Sequence, residues 1–413
     1  MLFFYYLSIH LYGIAIRLIS PFNRKAKLWV DGRKNIFEKL KTEVKSNKTI
    51  WFHCSSYGEF EQGRPILDAL NNDFSDHQII ITFFSPSAYE NFKNKLSDFS
   101  VFYLPLDTPS NAKRFVNIVK PEFVVFVKND IWFYYLRELF NKRIKFYYVS
   151  CLFRPSQIYF KWFAVFFRKQ LNKAHHYFVQ NQTSLQLLYK NKITQVSVSG
   201  DTRFDRVYQN LNNNNNIAGI TDFKNGKNIL LGGSTWPAEE KMLIELANSN
   251  FLDYKYIIAP HEISQKKIES LQKKLTVKSI KYSEIDGQNL SDINVLIMDN
   301  VGYLSSLYKY AKISVIGGGF GKGIHNILES AVFGAPTIFG PHYKKSKEAV
   351  DLVKREKAFS VKNLTDLQNI LRELEENELI YEEVSEVNKN YIMENKGATS
   401  IIINQIKMDL GKH

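Results

Sequence analysis

A single carboxylate follows a glycine in the stretch HCSSYGEFEQGRPIL, residues 53–67. The apolar run before it predicts a buried strand, and the segment from Pro65 predicts an amphipathic helix. Small residues around Gly58 would let a ligand approach the backbone closely. Glu59 therefore stands where a charged side chain can meet a ligand. The alternative is a structural role in which Glu59 complements the positive end of the helix.

A glycine-rich loop lies between a predicted strand and a predicted helix in residues 313–342, ISVIGGGFGKGIHNILESAVFGAPTIFGPH. The helix is predicted from Asn326 to Phe333, and backbone N–H groups at its start would suit a phosphate. Gly318 in this loop is a candidate donor contact, although the spacing Gly319-x-Gly321-x-Gly323 matches neither a dinucleotide fingerprint nor a P-loop. Asn326 and Glu329, three residues apart, can reach one ligand, and the carboxylate suits sugar hydroxyls. The alternative is a capping network.

Three further segments follow predicted strands in the same half of the chain. The carboxyl ends of parallel strands open onto one crevice, so these loops should face one ligand. Singly, each is more typical of an ordinary turn or cap. Together they outline a nucleotide pocket, with these candidate contacts: Ser234, Thr235, His261, Val301, Gly302 and Tyr303.

The elements that must position these residues alternate between short apolar runs and helical stretches. This alternation indicates βα units and parallel sheets, and hence two doubly wound, Rossmann-like domains with a cleft between them. Predicted strands are 50–53, 78–83, 101–104, 123–127, 145–149, 176–179, 228–231, 256–259, 294–298, 313–316 and 336–339.

The domain boundaries follow from one break in this pattern. The polar run at residues 211–216, mostly asparagine, is the predicted linker. We expect a membrane-anchoring segment over residues 1–34, a first domain over 35–210 and a second over 218–413. The last helical segment, Ala398–Leu410, could cross back to the first domain.

Composition sets limits on function. The chain has 413 residues, enough for two domains, and a net charge of +14 from 55 Lys and Arg against 41 Asp and Glu. This surplus indicates an anionic partner, or only a solvated basic surface. Cys54 and Cys151 form no CxxC motif, which favours a reducing compartment. Histidine spacing argues against zinc, so no metal is expected. The sequence shows no basic segment with interleaved aromatic residues, so it gives no indication of nucleic-acid binding.

The first 22 residues, MLFFYYLSIHLYGIAIRLISPF, are apolar and aromatic, with His10 and Arg17 as interruptions. Cations follow at Arg24, Lys25 and nearby positions. This pattern predicts a helix that inserts in, or lies along, the cytoplasmic leaflet of a membrane. The alternative is a buried first helix of the domain.

The motifs at 53–60, 200–205, 232–240, 299–308 and 313–342 resemble those of the Kdo transferases, which add 3-deoxy-D-manno-octulosonic acid (Kdo) to a lipid A precursor. The resemblance covers nearly the whole chain and is most specific at His325-Asn326-x-x-Glu329. It implies the two-domain GT-B glycosyltransferase fold, a CMP-Kdo donor, a lipid A precursor (lipid IVA) as acceptor and a role in lipopolysaccharide biosynthesis. No cofactor is implied. The implied location is the cytoplasmic face of the inner membrane.

The resemblance also implies roles for single residues. Glu59 falls on the catalytic base, Arg203 on a lysine thought to stabilise the transition state, and Asp130 on a glutamate. Asn326 and Glu329 fall on contacts to the CMP part of the donor. The segment Val301-Gly302-Tyr303 falls on another CMP contact.

Two motifs depart from the family pattern. Pro260-His261-Glu262 stands where Pro-Arg-His is usual, so a phosphate-binding arginine is missing and His261 is its nearest substitute. Lys128 replaces an acidic residue. Two other functions therefore remain open. One is a GT-B enzyme for a different nucleotide sugar, and the other is a basic membrane-associated protein that binds without catalysis.

Overall fold

The computed structural model describes residues 2–161, 164–212 and 216–412. The chain divides into two compact units. Unit 1 comprises residues 1–206 and 396–413, and unit 2 comprises residues 207–395. Residues 213–215, in the middle of the predicted linker, lie outside the described residues.

Unit 1 contains a parallel sheet of seven strands in the order β3-β2-β1-β4-β5-β6-β7. Its central strands are buried on both faces, because helices cover each side. In β4, for example, Val124 and Phe126 point into one core and Val125 and Val127 into the other. The strands are β1 (Thr49–Cys54), β2 (Gln78–Phe83), β3 (Ser100–Tyr103), β4 (Phe123–Val127), β5 (Lys145–Cys151), β6 (His176–Val179) and β7 (Val196–Val198).

The helices of unit 1 include the last helix of the chain, which packs against α4 and contributes Ile402 and Ile406 to the core. Helix α10 begins in unit 1 and ends in unit 2. The helices are α1 (Leu2–Ile19), α2 (Arg24–Asp31), α3 (Ile36–Glu43), α4 (Tyr57–Asp73), α5 (Pro86–Phe92), α6 (Pro109–Val119), α7 (Phe133–Asn141), α8 (Val165–Leu171), α9 (Gln182–Lys190), α10 (Thr202–Asn212) and α19 (Ala398–Asp409).

Unit 2 has a second parallel sheet of seven strands, in the order β10-β11-β9-β8-β12-β13-β14. Its strands are β8 (Asn228–Thr235), β9 (Tyr254–Pro260), β10 (Ser279–Lys281), β11 (Val295–Ile297), β12 (Ile313–Ile316), β13 (Thr337–Phe339) and β14 (Ala358–Ser360). Its helices are α11 (Ile220–Lys224), α12 (Pro237–Asn248), α13 (Gln265–Lys274), α14 (Leu304–Leu307), α15 (Leu328–Ala331), α16 (Lys347–Lys354), α17 (Leu364–Glu376) and α18 (Glu378–Asn395).

Helix α1 is exposed along nearly its whole length, with only Gly13 buried. The alternative of a buried first helix is therefore wrong. By length and composition, α1 is the one helix in the described ranges that could cross a membrane. It is tied to unit 1 by the Tyr5 hydroxyl, which donates to the buried Asp107 carboxylate.

One predicted helix is wrong in extent. The segment expected to be helical over residues 326–333 forms only the four-residue α15. The preceding loop bonds within itself, since the His325 N–H donates to the Gly317 carbonyl and the Gly323 N–H donates to the Gly318 carbonyl. The helix therefore begins two residues later than predicted, and the phosphate site at its start stays a prediction.

Candidate active site

Glu59 lies in the first turn of α4, directly after the end of β1. Its carboxylate accepts hydrogen bonds from the N–H groups of Ser55 at 2.5 Å and Ser56 at 3.2 Å. The Ser56 hydroxyl in turn accepts from the Glu59 N–H at 3.4 Å. These contacts form a capping box, so the structural role considered for Glu59 is present.

The protonation of Glu59 is not that of an ordinary capping carboxylate. Burial, together with the negative charge of Asp130, raises the pKa of Glu59 to about 7, although the two N–H groups and Lys128 act in the opposite direction. A carboxylate at an exposed helix N-terminus has a lowered pKa instead. A group that titrates near neutral pH is suited to take up and release a proton. Glu59 therefore has the hydrogen bonds of a capping residue and a pKa that suits a general base.

A chain of buried side chains holds Asp130 beside Glu59. The Trp51 indole N–H donates to the Thr82 hydroxyl at 2.7 Å, and that hydroxyl lies 2.8 Å from Nδ1 of His53. Burial lowers the pKa of His53 to about 3, so its ring is neutral. His53 Nε2 lies 3.3 Å from the Ser55 hydroxyl, which donates to Asp130 at 2.6 Å. Because Ser55 bonds both carboxylates, it fixes their separation.

Arg203 is held by Asp201, a buried carboxylate at the start of α10. The guanidinium pairs with Asp201 at 2.8 Å, and Gln62 of α4 donates to the other oxygen of that carboxylate at 2.8 Å. Lys128 lies nearby in a left-handed backbone conformation (φ 71°), and burial lowers the pKa of its amine. The charges of Asp201, Arg203 and Glu59 all act on Lys128. The predicted residues Glu59, Asp130 and Arg203 thus belong to one charged cluster at the carboxyl edge of the sheet in unit 1.

In unit 2, the ends of β8 and β12 approach each other closely. A side chain on Gly317 would place its Cβ only 1.9 Å from the Ser234 carbonyl oxygen. Gly318 has φ +90° and Ser234, although not a glycine, has φ 51°. Strained residues of this kind persist where the surrounding structure holds them and are concentrated at functional sites. Thr235, the last residue of β8, is buried.

Three rings stack beside these strand ends. The Trp236 and His261 rings are 4.7 Å apart, and the His261 and His325 rings are 4.6 Å apart. The Trp236 indole N–H donates to Nε2 of His325 at 3.1 Å, so that nitrogen is the acceptor. Burial and the neighbouring His261 lower the pKa of His325. Trp236 and His261 are both exposed to solvent, whereas His325 is half-buried.

The other predicted donor contacts of unit 2 fall into two groups. The Asn326 amide donates to Glu329 at 3.1 Å and accepts from the Leu328 N–H at 3.2 Å, so the capping network considered as an alternative is present. Val301, Gly302 and Tyr303 lie on an exposed loop. In the described ranges, no hydrogen bond or ring contact joins that loop to the stack of Trp236, His261 and His325.

Several residues that complete these sites were missed from the sequence. Trp236, His53 and Asp201 stand beside predicted residues but gave no separate signal of function. Asp201 could have been found, because it precedes Arg203 in a short Gly-Asp-Thr-Arg segment. Within the described part of the chain, no group of three or more His, Cys, Asp and Glu side chains is arranged to hold a metal ion.

A family model and two relatives that match this chain carry the same enzyme name. Residues 32–206 match the model described as 3-deoxy-D-manno-octulosonic-acid transferase (kdotransferase). The 3-deoxy-D-manno-octulosonic acid transferase of Aquifex aeolicus is 28% identical over 79% of this chain and 85% of its own length. The same enzyme of Haemophilus influenzae is 24% identical over 87% of this chain and 86% of its own.

A bifunctional glycosyltransferase/methyltransferase of Fusobacterium nucleatum is 24% identical over 97% of this chain. The chain spans 64% of the length of that relative.

Solved structures with the same architecture have low sequence identity and show the fold alone. A UDP-N-acetylglucosamine 2-epimerase has a TM-score of 0.62 at 14% identity and covers 89% of this chain and 97% of its own. MurG of Acinetobacter baumannii has a TM-score of 0.52 at 13% identity over 88% of this chain and 100% of its own. With two seven-stranded parallel sheets, the fold is GT-B, as predicted.

Proposed function

The chain is a divergent member of the Kdo transferase family, and we propose that it moves Kdo from CMP-Kdo to a hydroxyl of a lipid A precursor. The observation that carries this proposal is the environment of Glu59. The carboxylate is fixed by two N–H groups, stands beside Asp130 and has a pKa of about 7. A base with this pKa is about half deprotonated at neutral pH and can still bind the proton that it removes.

The proposed reaction is a single displacement. Glu59 takes the proton of the acceptor hydroxyl while its oxygen bonds to the anomeric carbon of Kdo. The bond from that carbon to the phosphate oxygen breaks, and CMP leaves with the electron pair. Attack opposite the leaving group inverts the anomeric centre, by analogy with the inverting chemistry of glycosidases.

The departing phosphate must be stabilised by positive charge or N–H donors. The loop at residues 317–325 uses part of its own backbone N–H groups internally, as described above. This favours side chains as the phosphate contacts. In this proposal Arg203 stabilises the transition state, His261 replaces the family's arginine, and His325, held by Trp236, lies next to it.

The remaining donor contacts are proposed from the positions of the loops. Asn326 and Glu329 would bind the CMP part of the donor, with Glu329 accepting from sugar hydroxyls. The exposed loop carrying Val301, Gly302 and Tyr303 would supply a further contact to CMP. Ser234, Thr235 and Gly318 would line the backbone side of the pocket, where the strand ends allow close approach.

Attachment to the cytoplasmic face of the inner membrane is proposed for α1. Large apolar side chains on this helix are exposed, among them Phe3 at 70%, Phe4 at 69% and Leu18 at 70%. An apolar helix with cations at one end binds at the lipid interface. This location would bring the enzyme to a lipid acceptor.

The test is transfer by the purified full-length chain. The protein is incubated with CMP-Kdo and a detergent-dispersed tetra-acylated disaccharide bisphosphate, and CMP release and a mass gain of one Kdo are measured together. CMP release without acceptor modification would contradict transfer. Turnover with another nucleotide sugar but not with CMP-Kdo would favour a different GT-B enzyme, and binding without turnover would favour the non-catalytic alternative. The altered Pro260-His261-Glu262 motif is the feature that favours these alternatives.

A further inference from the structure

A cavity of about 480 Å³ lies beside α1 in unit 1, and the proposed reaction does not use it. Its walls come from α1, the turn between α2 and α3, the segment after β3, and α6. The charged side chains that line it are four cations and one carboxylate: Arg17, Arg33, Lys34, Arg114 and Glu38. The cavity is therefore positively charged and suited to an anion.

Arg33 carries the most enclosed of these charges. Its guanidinium donates to the carbonyl oxygens of Trp29 at 3.1 Å, Phe84 at 3.0 Å and Leu104 at 2.9 Å. It also lies 3.9 Å from the centre of the Trp29 ring. Burial lowers the pKa of Arg33 to about 9, and no carboxylate in the described ranges pairs with it. An anion in the cavity would supply the missing opposite charge.

The other three cations are exposed and can turn toward a ligand. Arg17 has no hydrogen-bond or ion-pair partner for its side chain in the described part of the chain. Lys34 pairs with Asp31 at 2.7 Å, and Arg114 pairs with Glu38 at 3.2 Å, but both pairs are solvent-exposed. Exposed ion pairs are weak, so a bound anion can replace their partners.

The neighbouring helix indicates which anion would reach the cavity. Arg17 belongs both to the cavity and to α1. Just beyond it, Leu18 of α1 is 70% exposed, and Phe22, in the turn after this helix, is 91% exposed. A helix whose apolar side chains enter the lipid interface places adjacent cations at the depth of the headgroups. We propose that this cavity binds the phosphate of an anionic membrane phospholipid. The inference rests on the proposed membrane attachment of α1.

Such a site would fix how unit 1 lies on the bilayer, because its walls are rigidly packed. Arg33 lies 5.0 Å from the centre of the Phe84 ring, which is 4.9 Å from that of Trp132. Trp132 in turn packs against His53, with ring centres 5.4 Å apart. A bound headgroup would thus be joined by packed rings to the residues that hold Asp130.

The experiment measures binding of the full-length protein to two kinds of vesicle at physiological ionic strength. One kind is phosphatidylcholine alone, and the other is an equimolar mixture with phosphatidylglycerol. The double variant Arg17→Gln/Arg114→Gln leaves Arg33 and the core intact. Its affinity for the mixed vesicles should fall roughly tenfold or more, since each cation near the surface contributes to anionic-lipid binding. Its affinity for phosphatidylcholine vesicles should not change.

The matched control removes the same charge elsewhere in unit 1. Lys142→Gln/Arg143→Gln changes two exposed cations before β5, at the amino edge of the sheet. Its affinity for the mixed vesicles should fall less than about twofold, because salt screens distant charges. Equal losses in both double variants would overturn the site in favour of diffuse attraction.

Two further results would overturn the proposal in distinguishable ways. If the cavity variant raises KM for the detergent-dispersed acceptor without changing vesicle affinity, the cavity serves an acceptor phosphate and not a phospholipid. If the unaltered protein binds neither kind of vesicle, the membrane attachment fails and this site fails with it. Transfer measured in detergent would be unaffected in that case, so the failure would be separate from that of the transferase proposal.

Discussion

The two units present their proposed functional residues in different ways. In unit 1, Glu59 and Asp130 are charged side chains fixed by hydrogen bonds through Ser55. In unit 2, the corresponding strand ends are shaped by glycines, and the ring stack of Trp236, His261 and His325 stands beside them. The difference suggests a division of labour, in which unit 1 tunes the acidity of a base and unit 2 shapes a surface for the donor.

The largest effect should come from the base itself. Glu59→Gln keeps the size of the side chain and can preserve the capping box, but it cannot take up the proton. We expect turnover to fall roughly 10²–10⁴-fold, the usual contribution of a positioned base. Affinity for CMP, measured by calorimetric titration, should be unchanged. A variant that transfers Kdo at the normal rate would leave Glu59 with a capping role only.

A smaller effect is expected in unit 2. Asn326→Ala removes a proposed contact to CMP and the partner of Glu329. Affinity for CMP should fall about tenfold, as expected for loss of a hydrogen bond to a charged group. The Glu59→Gln protein is the control in the same titration. Equal losses of CMP affinity in the two variants would contradict the division of labour between the units.

His261 stands where the family usually has an arginine, so a substitution there can raise the affinity for CMP and not only lower it. His261→Arg introduces the arginine that the family usually has at this place and that can bind a phosphate with two parallel hydrogen bonds. We expect CMP affinity to rise about threefold to tenfold, and His261→Ala to lower it. Titrations of both variants with CMP and with cytidine test this, because only CMP carries the phosphate. The same gain for cytidine would rule out a phosphate contact.

The smallest effect concerns stability and its dependence on pH. Because the pKa of folded Glu59 is about 7, above the value of 4.5 for a free side chain, the folded state holds this proton more tightly. That contribution is present below pH 4.5 and is lost as pH rises through about 7. Glu59→Gln should therefore gain thermal stability relative to the unaltered protein between pH 5 and pH 8. A constant difference in Tm over this range would contradict the raised pKa.

Much of the fold was predictable, because short apolar runs rich in β-branched and aromatic residues, such as Phe123–Val127, are typical of buried parallel strands. The strands that were missed, β7, β10 and β14, have three residues each, of which only one is buried. The equally short β11 and β13 are buried throughout and lie in apolar runs that the sequence shows. The expected helix from Asn326 failed for another reason. Its residues suit a helix, but the loop before it bonds back to the end of β12, which propensity does not show.

The candidate site was likewise predictable only in part. A local motif drew attention to Glu59, and the family resemblance named its role. The acidity of Glu59 depends on burial and on Asp130, which is 71 positions later in the chain. The neutral ring of His53 likewise depends on its burial and on Thr82. Such properties arise only when distant strands are brought together, so the sequence alone could not supply them.

The central claim is that Glu59 acts as a base whose acidity is set by its surroundings, and its direct test is the single-turnover rate of Kdo transfer against pH. The account predicts a rate that rises through about pH 7 and then levels off. In Asp130→Asn the midpoint should move to lower pH, since one of the negative charges that raise the pKa of Glu59 is removed. In Glu59→Gln the rise should disappear. A rate that is flat across pH 7, or a rise of the same form in Glu59→Gln, would contradict the claim.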